Sequence, residues 1–545
     1  MALMKKFNLF WNTVRWLRPV QIYGRFWHRI LRPKPDTRPP PGRRIPRAAW
    51  IALERAASMV GERRFSFLGV EHDLLSPRDW NNPGWPKLWL YNVHYFDDLV
   101  SSHASVRSEW HAGLIARWIA ENPPCAGNGW EPYPISLRVV NWIKWSLTGN
   151  ELTAEAKHSM AVQVRYLSRK LEFHLLGNHL WANLKALLFA GAYFTGKESE
   201  GWHRRAVRLF ERELREQILQ DGGHFERSPM YHSILLADLL DLIQLSAMHP
   251  GVFALETVAG WRLTADKMFR WFRVMTHPDG GLSFFNDSAL GIAPDLRQLE
   301  DYADRIGVDR NPSALNQVEV LSHSGYVRVT VGDVVLLADV GDLGPAYLPG
   351  HAHADSLSFE LSIRGKRVLV NGGTSTYEAD QLRERQRGTA MHNSVVVDGE
   401  DSSEVWGSFR VARRAKVHDV VVTVDPDSGV KLRAWHDGYM RLPGKVAHAR
   451  TWRIAPDRLL VEDSIEGKFS TWYATFRLPS GMEVDPDRAV ATDREGVTFG
   501  WTISGHASGR LVQGFWYPRF GAQLPCWVLE VSPDGDRSEV EFRWD

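Results

Sequence analysis

The hydrophobic pattern of this chain changes its period near residue 312, and this change constrains the fold more than any other feature. Beyond it, short alternating or β-branched runs separated by Gly, Asp and Pro are typical of an antiparallel sandwich. Before it, apolar residues recur at spacings of three and four, which predicts amphipathic helices. These helices are expected near residues 103–121, 134–149, 152–173, 179–195, 199–219, 229–247 and 256–276.

Three regions follow from these patterns in a chain too long, at 545 residues, for one core. Residues 1–45 form a basic, aromatic segment and a Pro-rich linker. Residues 46–311 form a helical domain of antiparallel hairpins or a helical toroid, and the sequence leaves closure of the array open. Residues 312–545 form an antiparallel β-sandwich that begins at the breaker Asn311-Pro312. Its strands are predicted near residues 326–331, 334–337, 368–370, 394–398, 420–424, 459–462, 472–476 and 527–531.

Charge and cysteine content exclude several classes of protein. The net charge of +2 gives no global electrostatic reason to bind nucleic acid. Cys125 and Cys526 are far apart in sequence, so neither a disulfide framework nor a cysteine-based metal site is indicated. The 24 tryptophans mainly suit helix interfaces, while a subset that lined a cleft would suit the flat faces of sugar rings.

Residues 1–35 interleave arginines with aromatic side chains. The segment is too interrupted by polar residues to span a membrane, and no small-residue cleavage site follows it. It either forms an interfacial helix in peripheral contact with a membrane or packs on the domain that follows. We favour packing on that domain.

The stretch from Gly350 to Asp355 places two imidazoles beside a carboxylate. It leads into an alternating run, residues 357–363, that predicts a strand with one buried face. If the extended backbone reaches back, His351, His353 and Asp355 share one side. The alternatives are a metal or catalytic site and a polar strand end whose histidines bond to the backbone.

Two helix starts carry further candidates. Asn178 is a suitable N-cap, which places His179 in the first turn beside free N–H groups. Ser228 followed by Pro229 is a strong helix start and places Tyr231 in the first turn, where the helix dipole favours a phenolate. The structural alternatives are a capping role for Asn178 and a core position for Tyr231.

Three arginines at a spacing of two precede His392. They form either a solvated edge or a site for carboxylate or sulfate, which the forked guanidinium group recognises. These residues are Arg383, Arg385 and Arg387.

Together these motifs resemble those of the heparinase II/III-like polysaccharide lyases over roughly residues 85–460. The resemblance implies an incomplete (α/α) toroid followed by an antiparallel β-sandwich, with a cleft between them. It further implies β-elimination on an acidic, uronate-containing polysaccharide with no required cofactor. The motifs span residues 178–180, 183–186, 226–231, 350–361, 373–374, 390–393 and 406–409.

The resemblance also implies roles for individual residues. Tyr231 is the candidate base, acid or both, and His351 is a second acid–base group. Asn178 and His179 would neutralise the uronate carboxylate. The residues expected to bind substrate are Arg138, Glu226, Arg383, Arg385 and Arg387.

His353 and His392 fall where some family members hold a structural zinc. The third ligand there is an Asp, and this chain has Asn371, a weaker and neutral ligand. Ala182 replaces a family glutamate, which leaves the identity of the sugar open.

Two other functions compete with a lyase. One is a metal-dependent glycan hydrolase that uses His351, His353, Asp355 and His392. The other is a non-catalytic glycan-handling protein of bacterial exopolysaccharide biosynthesis. Without a visible cleavable signal, a cytoplasmic or inner-membrane-peripheral location is favoured, and the resemblance also allows a periplasmic one.

Overall fold

We describe the fold from a computed structural model that covers residues 2–311, 313–425 and 429–545. Helices and strands are numbered in chain order. The α-helices within these residues are α1 (Ala2–Val14), α2 (Pro19–Ile30), α3 (Lys87–Tyr95), α4 (Ser108–Glu121), α5 (Pro132–Leu147), α6 (Ala154–Arg169), α7 (Gly177–Tyr193), α8 (Lys197–Gln217), α9 (Pro229–Met248), α10 (Leu255–Val274), α11 (Leu296–Arg305) and α12 (Gln381–Arg387).

The strands complete the described elements. They are β1 (Arg64–Phe67), β2 (Val70–Asp73), β3 (Val318–Leu321), β4 (Tyr326–Val331), β5 (Val334–Asp339), β6 (Phe359–Ile363), β7 (Lys366–Leu369), β8 (Val395–Val397), β9 (Val405–Trp406), β10 (Arg410–Val411), β11 (Val417–Asp425), β12 (Gly429–His436), β13 (Ala447–Ala455), β14 (Arg458–Glu466), β15 (Trp472–Arg477), β16 (Glu483–Asp485), β17 (Val490–Thr492), β18 (Thr498–Ser504), β19 (Ala507–Trp516), β20 (Leu524–Pro533) and β21 (Arg537–Trp544).

The helical domain is built around inner helices that are apolar on every side. In α7, every residue except His179 is buried, and most of α9 is buried as well. A helix that is hydrophobic all round belongs in the interior, whereas α8 exposes the charged face of an amphipathic helix. The seven predicted helical segments are confirmed as α4 to α10. The predicted helical domain is therefore present.

Within the described residues, three larger antiparallel sheets and the two-stranded antiparallel pair β9-β10 form the predicted β-sandwich domain. Five strands pair in the order β3-β4-β5-β6-β7, eight in the order β11-β12-β13-β14-β21-β18-β17-β16, and four in the order β19-β20-β15-β8. Each of the eight predicted strands coincides with an observed one. The predicted domain boundary falls on Pro312, which lies outside the described residues, between the end of α11 and the start of β3.

The five-stranded sheet is buried on both faces. In β5, Val335 and Leu337 belong to the core of the helical domain, whereas Val334 and Leu336 belong to the core of the sandwich. The prediction that the strand after His353 has one buried face is therefore wrong, since all of β6 is buried. The polar face of β6 packs against the helical domain, where Glu360 and Ser362 are both within hydrogen-bond distance of His277.

The N-terminal helices pack across both domains. Gln21 of α2 donates from Nε2 to the Tyr347 carbonyl at 3.0 Å, and the His28 ring lies 4.1 Å from that of His174. Trp406 donates from Nε1 to Thr13 Oγ1 of α1 at 3.0 Å. Packing on the following domains is thus observed. None of the helices among the described residues is both long and apolar enough to cross a membrane.

Candidate active site

Tyr231 lies where the start of α9 meets loops of the β-domain. Ser228 caps the helix, because its Oγ accepts the Tyr231 backbone N–H at 3.2 Å, and Pro229 opens the first turn. The Tyr231 phenol oxygen lies 3.2 Å from that of Tyr377. Its ring centroid is 3.9 Å from that of His351. The predicted helix start therefore presents Tyr231 to groups from the other domain.

The expectation that the helix dipole makes Tyr231 a phenolate is not supported. Burial, and then the neighbouring Tyr377, raise the pKa of Tyr231 well above its ordinary value. Removing the phenol from water disfavours its charged form more than a helix end favours it. Tyr231 is therefore a neutral phenol that can donate a proton.

His351 is held by a carboxylate that the sequence did not single out. Its Nδ1 lies 2.8 Å from Asp287 Oδ2. The Asp287 carboxylate only accepts hydrogen bonds, so the proton of this contact lies on His351 Nδ1, and the neutral tautomer that this contact selects has its lone pair on Nε2. The segment from Gly350 to Asp355 is irregular and is not a strand. His351 nevertheless lies beside Tyr231, with Nδ1 bonded to Asp287.

Asp287 connects both histidines of this segment to Arg383. Its Oδ1 accepts from His353 Nε2 at 2.9 Å, and its Oδ2 accepts from Arg383 Nη2 at 2.7 Å, with a second bond from Nη1 to Oδ1. Burial opposes ionisation, but the charge of Arg383 and the bonds from the two histidines hold the pKa of Asp287 well below its usual range. Asp287 is an anion buried at the centre of the site.

Arg383, Arg385 and Arg387 lie on helix α12, so they do not form the row that their spacing suggested. Arg383 and Arg387 are fully buried, and Arg387 donates to the Ala352 carbonyl from Nε and Nη2. Arg385 is exposed. Only Arg385 of the three lies where a glycan can reach it, whereas Arg387 holds the loop that carries His351 and Arg383 holds Asp287.

Arg138 is also buried away from solvent. It donates to Gln163 Oε1 at 2.9 Å and to the Gly129 carbonyl at 2.7 Å, and it lies over the Trp118 ring. Its guanidinium group therefore supports the helical domain and does not face a ligand, which corrects the expectation that it binds substrate.

The start of α7 differs from its predicted cap. The helix begins at Gly177, after Leu176, so Asn178 is inside the first turn and is not the N-cap. Gly177 has φ +53°, and a Cβ there would lie 2.5 Å from Leu348 and 2.7 Å from Glu226 Oε1. Because only glycine fits this approach, α7 can begin directly against the carboxylate of Glu226.

Glu226 links the start of α7 to His351. Its Oε1 accepts the Asn178 backbone N–H at 3.4 Å, and its Oε2 lies 3.7 Å from His351 Nε2. Burial raises the pKa of Glu226 despite the nearby histidines. The structure thus brings Asn178, Glu226, Tyr231 and His351 into one cluster.

His179 is the one side chain of α7 that reaches the surface of this cluster. Its Nδ1 lies 3.3 Å from Glu172 Oε1, and its ring lies 4.6 Å from that of Tyr133. Burial lowers the pKa of His179, but the charge of Glu172 outweighs this effect, so the pKa is raised above its ordinary value. His179 is a partly exposed group biased towards the imidazolium.

The residues expected to hold zinc do not fit a three-ligand site. His353 donates from Nε2 to Asp287, so its Nδ1 accepts the Nε2–H of His392 at 3.3 Å. Asn371 Oδ1 accepts the Asn393 backbone N–H at 3.1 Å. No group of three His, Cys, Asp or Glu side chains suited to a metal occurs among residues 2–311, 313–425 and 429–545.

We therefore expect zinc to be absent from the purified protein. Elemental analysis should find far less than one zinc per chain, both before and after treatment with EDTA and desalting. One zinc per chain that disappears in a His392→Ala variant would contradict this prediction.

Sequence reasoning missed Asp287, Tyr377 and Glu172. Asp287 ends the run Ser283-Phe284-Phe285-Asn286-Asp287. The signal that could have identified it is a carboxylate that closely follows two aromatic residues. Tyr377 lies in a connection with no periodic pattern, and Glu172 lies at the end of the predicted helical segment 152–173, beyond the observed end of α6. Only the fold shows that they meet Tyr231 and His179.

Comparison with known proteins assigns this architecture, a helical toroid joined to an antiparallel β-sandwich, to a family. The profile "Heparinase II/III N-terminus" matches residues 103–305, and the profile "Heparinase II/III-like, C-terminal" matches residues 314–545. The chain belongs to the heparinase II/III-like family.

Curated relatives match only part of their own length. A heparin-sulfate lyase of Bacteroides stercoris is 23% identical over 270 residues, which are 46% of this chain and 40% of that protein. FtsZ-localized protein C of Caulobacter vibrioides is 28% identical over 292 residues, which are 51% of this chain and 46% of that protein. The chain therefore aligns with less than half of either relative.

Solved structures share the fold across most of the chain. Heparinase III superimposes with a TM-score of 0.68 at 16% identity, over 88% of this chain and 80% of the other. The heparan sulfate lyase of Pedobacter heparinus gives 0.57 at 19% identity, over 88% and 81%. At such identities the likeness establishes the fold.

Proposed function

We propose that this protein is a polysaccharide lyase that cleaves a uronate-containing glycan by β-elimination at the junction of its two domains. One observation carries the proposal. The ring of a neutral phenol, Tyr231, packs against that of His351 with 3.9 Å between ring centroids, and His351 Nδ1 is bonded to Asp287 at 2.8 Å. A proton donor and a proton acceptor thus lie side by side, as β-elimination requires.

Neutralising the uronate carboxylate is the first requirement of the reaction. Removing the neighbouring C–H proton places negative charge on this carboxylate, and a fixed cation or dipole lowers that barrier. The imidazolium of His179 and the amide of Asn178 supply such groups at the start of α7. Exposed Arg385 is a further candidate for contact with acidic groups along the glycan.

Proton transfer then follows from the protonation states in the site. His351 Nε2 takes the proton from the carbon beside the carboxylate, and the electron pair forms a carbon–carbon double bond as the glycosidic C–O bond breaks. Tyr231 gives its phenolic proton to the departing oxygen. Before the next turnover, His351 releases its extra proton to water and the Tyr231 phenolate takes one up.

The competing functions have weaker support in this geometry. A metal-dependent hydrolase needs donors that converge on one ion, whereas His351 and His353 both point at Asp287, and Asp355 accepts the Asn286 backbone N–H at 3.2 Å. A non-catalytic glycan-handling protein does not need a phenol and an imidazole held in contact.

A panel of uronate-containing polysaccharides, with and without EDTA, tests the proposal. A lyase produces an unsaturated sugar whose conjugated double bond absorbs ultraviolet light, without added metal. New reducing ends without this absorbance would indicate a hydrolase. Binding of a polymer with no cleavage at all would indicate a glycan-handling protein, and either result would overturn the proposal.

The charge of His179 predicts a pH dependence of substrate binding. Because the pKa of His179 is raised, the imidazolium is present below that pKa and is lost as pH rises through it. We expect KM for the acidic glycan to rise with pH in this range. A His179→Gln variant should show a higher KM that no longer depends on pH there, while His418→Gln, on β11, should behave as wild type. A variant profile that keeps the wild-type slope would contradict this role.

A further inference from the structure

Helix α1 presents an apolar face to solvent. Thr13 faces inward, where it accepts from Trp406, and the exposed positions recur at helical spacing on another side. These side chains are between 57% and 72% exposed: Met4, Phe7, Phe10 and Trp11.

Helix α2 repeats the arrangement. Gln21 is buried, and Gly24 and His28 pack against His174, so this side of the helix faces the protein. The opposite side is apolar, which reverses the usual orientation of an amphipathic helix in a globular protein. Its side chains are between 54% and 67% exposed: Ile22, Tyr23, Phe26, Trp27 and Ile30.

This concentration of apolar surface is unlike the rest of the molecule. Six of the eight strongly exposed aromatic side chains in the described chain lie on these two helices, the others being Phe409 and Phe515. Single exposed apolar residues are ordinary, but a contiguous set marks a surface that is covered in use. The occupant must therefore be apolar at its centre.

The charge around these helices identifies the occupant. Residues 1–35 contain eight Lys and Arg and no Asp or Glu. Arg18 is neutralised by Glu216 at 2.5 Å, whereas Lys6, Arg25, Arg29 and Arg32 are exposed. A second copy of the chain would bring like charges together around the apolar centre. An anionic lipid surface instead offers phosphate to the cations and acyl chains to the aromatics.

We propose that α1 and α2 dock this protein on the surface of an anionic lipid bilayer. Tyr and Trp rings suit the headgroup region, and Phe and Ile enter the acyl boundary. The opposite sides of the helices stay on the protein, where α2 contacts His174 and the Tyr347 carbonyl. These contacts lie in the two connections that lead to Asn178 and to His351. The docked protein therefore holds its candidate active site close to the membrane surface.

Co-sedimentation of the full chain with vesicles tests this inference. We expect binding to vesicles of equal phosphatidylglycerol and phosphatidylcholine, and much weaker binding to phosphatidylcholine alone or at high salt. The triple variant Phe7→Ser/Trp11→Ser/Phe26→Ser should lower the partition coefficient by at least about tenfold. Arg29→Glu/Arg32→Glu should lower it by a similar factor on anionic vesicles only.

A matched triple variant tests whether vesicle binding depends on this surface or on exposed apolar side chains in general. Leu263→Ser/Val421→Ser/Phe515→Ser removes three exposed apolar side chains elsewhere and should bind vesicles as wild type does. Sedimentation velocity without lipid should give a monomer. A dimer that the Phe7/Trp11/Phe26 variant dissociates, or vesicle binding equal in both triple variants, would overturn the inference. The inference is independent of the proposed lyase activity, since vesicle binding is measured without a glycan.

Discussion

We expect the Tyr231→Phe variant to lose roughly 10²- to 10⁴-fold in kcat for glycan cleavage while it folds normally. The substitution removes one oxygen whose partner is the Tyr377 phenol at 3.2 Å, and it leaves the ring packed against His351. The glycan then has no acid to protonate the departing oxygen. Initial rates from ultraviolet absorbance on the best substrate of the panel measure the effect, and KM should change little.

Two further tyrosine variants locate this effect in the phenol. Tyr473→Phe, on β15 in the sandwich, should retain wild-type rates. Tyr377→Phe removes only the neighbour of the acid and should therefore cost less than Tyr231→Phe. If Tyr231→Phe cleaves as fast as wild type with the same thermal stability, Tyr231 is not the acid and the proposed mechanism fails.

The fold was largely predictable because the period of the hydrophobic pattern and the Gly, Asp and Pro residues that interrupt it are local properties of the sequence. The seven helical segments and eight strands that patterns predicted are present. Strands β12 and β13 were not predicted, since Lys431, Arg433 and Arg453 interrupt their apolar runs. The exposure of β6 was misjudged because its polar face meets the helical domain, and a pattern cannot identify what a polar face contacts.

The candidate site was predictable only where it lies in motifs. Tyr231 and His351 follow recognisable signals, and the structure brings them into contact. Asp287, which orients His351, lies in a connection 64 residues earlier in the chain, and only the tertiary fold brings the two together. Arg383 and Arg387 were interpreted as ligand-binding because the sequence shows that they are arginines but not that they are buried. Both act from within the protein, on Asp287 and on the Ala352 carbonyl.

The Asp287→Asn variant should lose both stability and activity. Asp287 and Arg383 are fully buried, so removing the carboxylate leaves a guanidinium charge without its partner and costs about 3–5 kcal/mol in the free energy of unfolding. Because the pKa of Asp287 is depressed, its contribution to wild-type stability is present above the ordinary pKa of Asp and is lost as pH falls. Denaturant unfolding at two pH values measures both effects.

Activity separates the role of Asp287 in orienting His351 from its role in stability. The double variant Asp287→Asn/Arg383→Met removes the uncompensated charge and should recover part of the lost stability. Cleavage should nevertheless stay at least about a hundredfold below wild type, because the amide no longer fixes the proton on His351 Nδ1. Asp463 is a matched control. It is also buried, accepts from Arg450 Nη2 at 2.9 Å and from His448 Nε2 at 2.7 Å, and lies in the sandwich. Asp463→Asn should cost similar stability while the folded fraction keeps its kcat. Equal loss of kcat in both variants would mean that Asp287 acts only through folding.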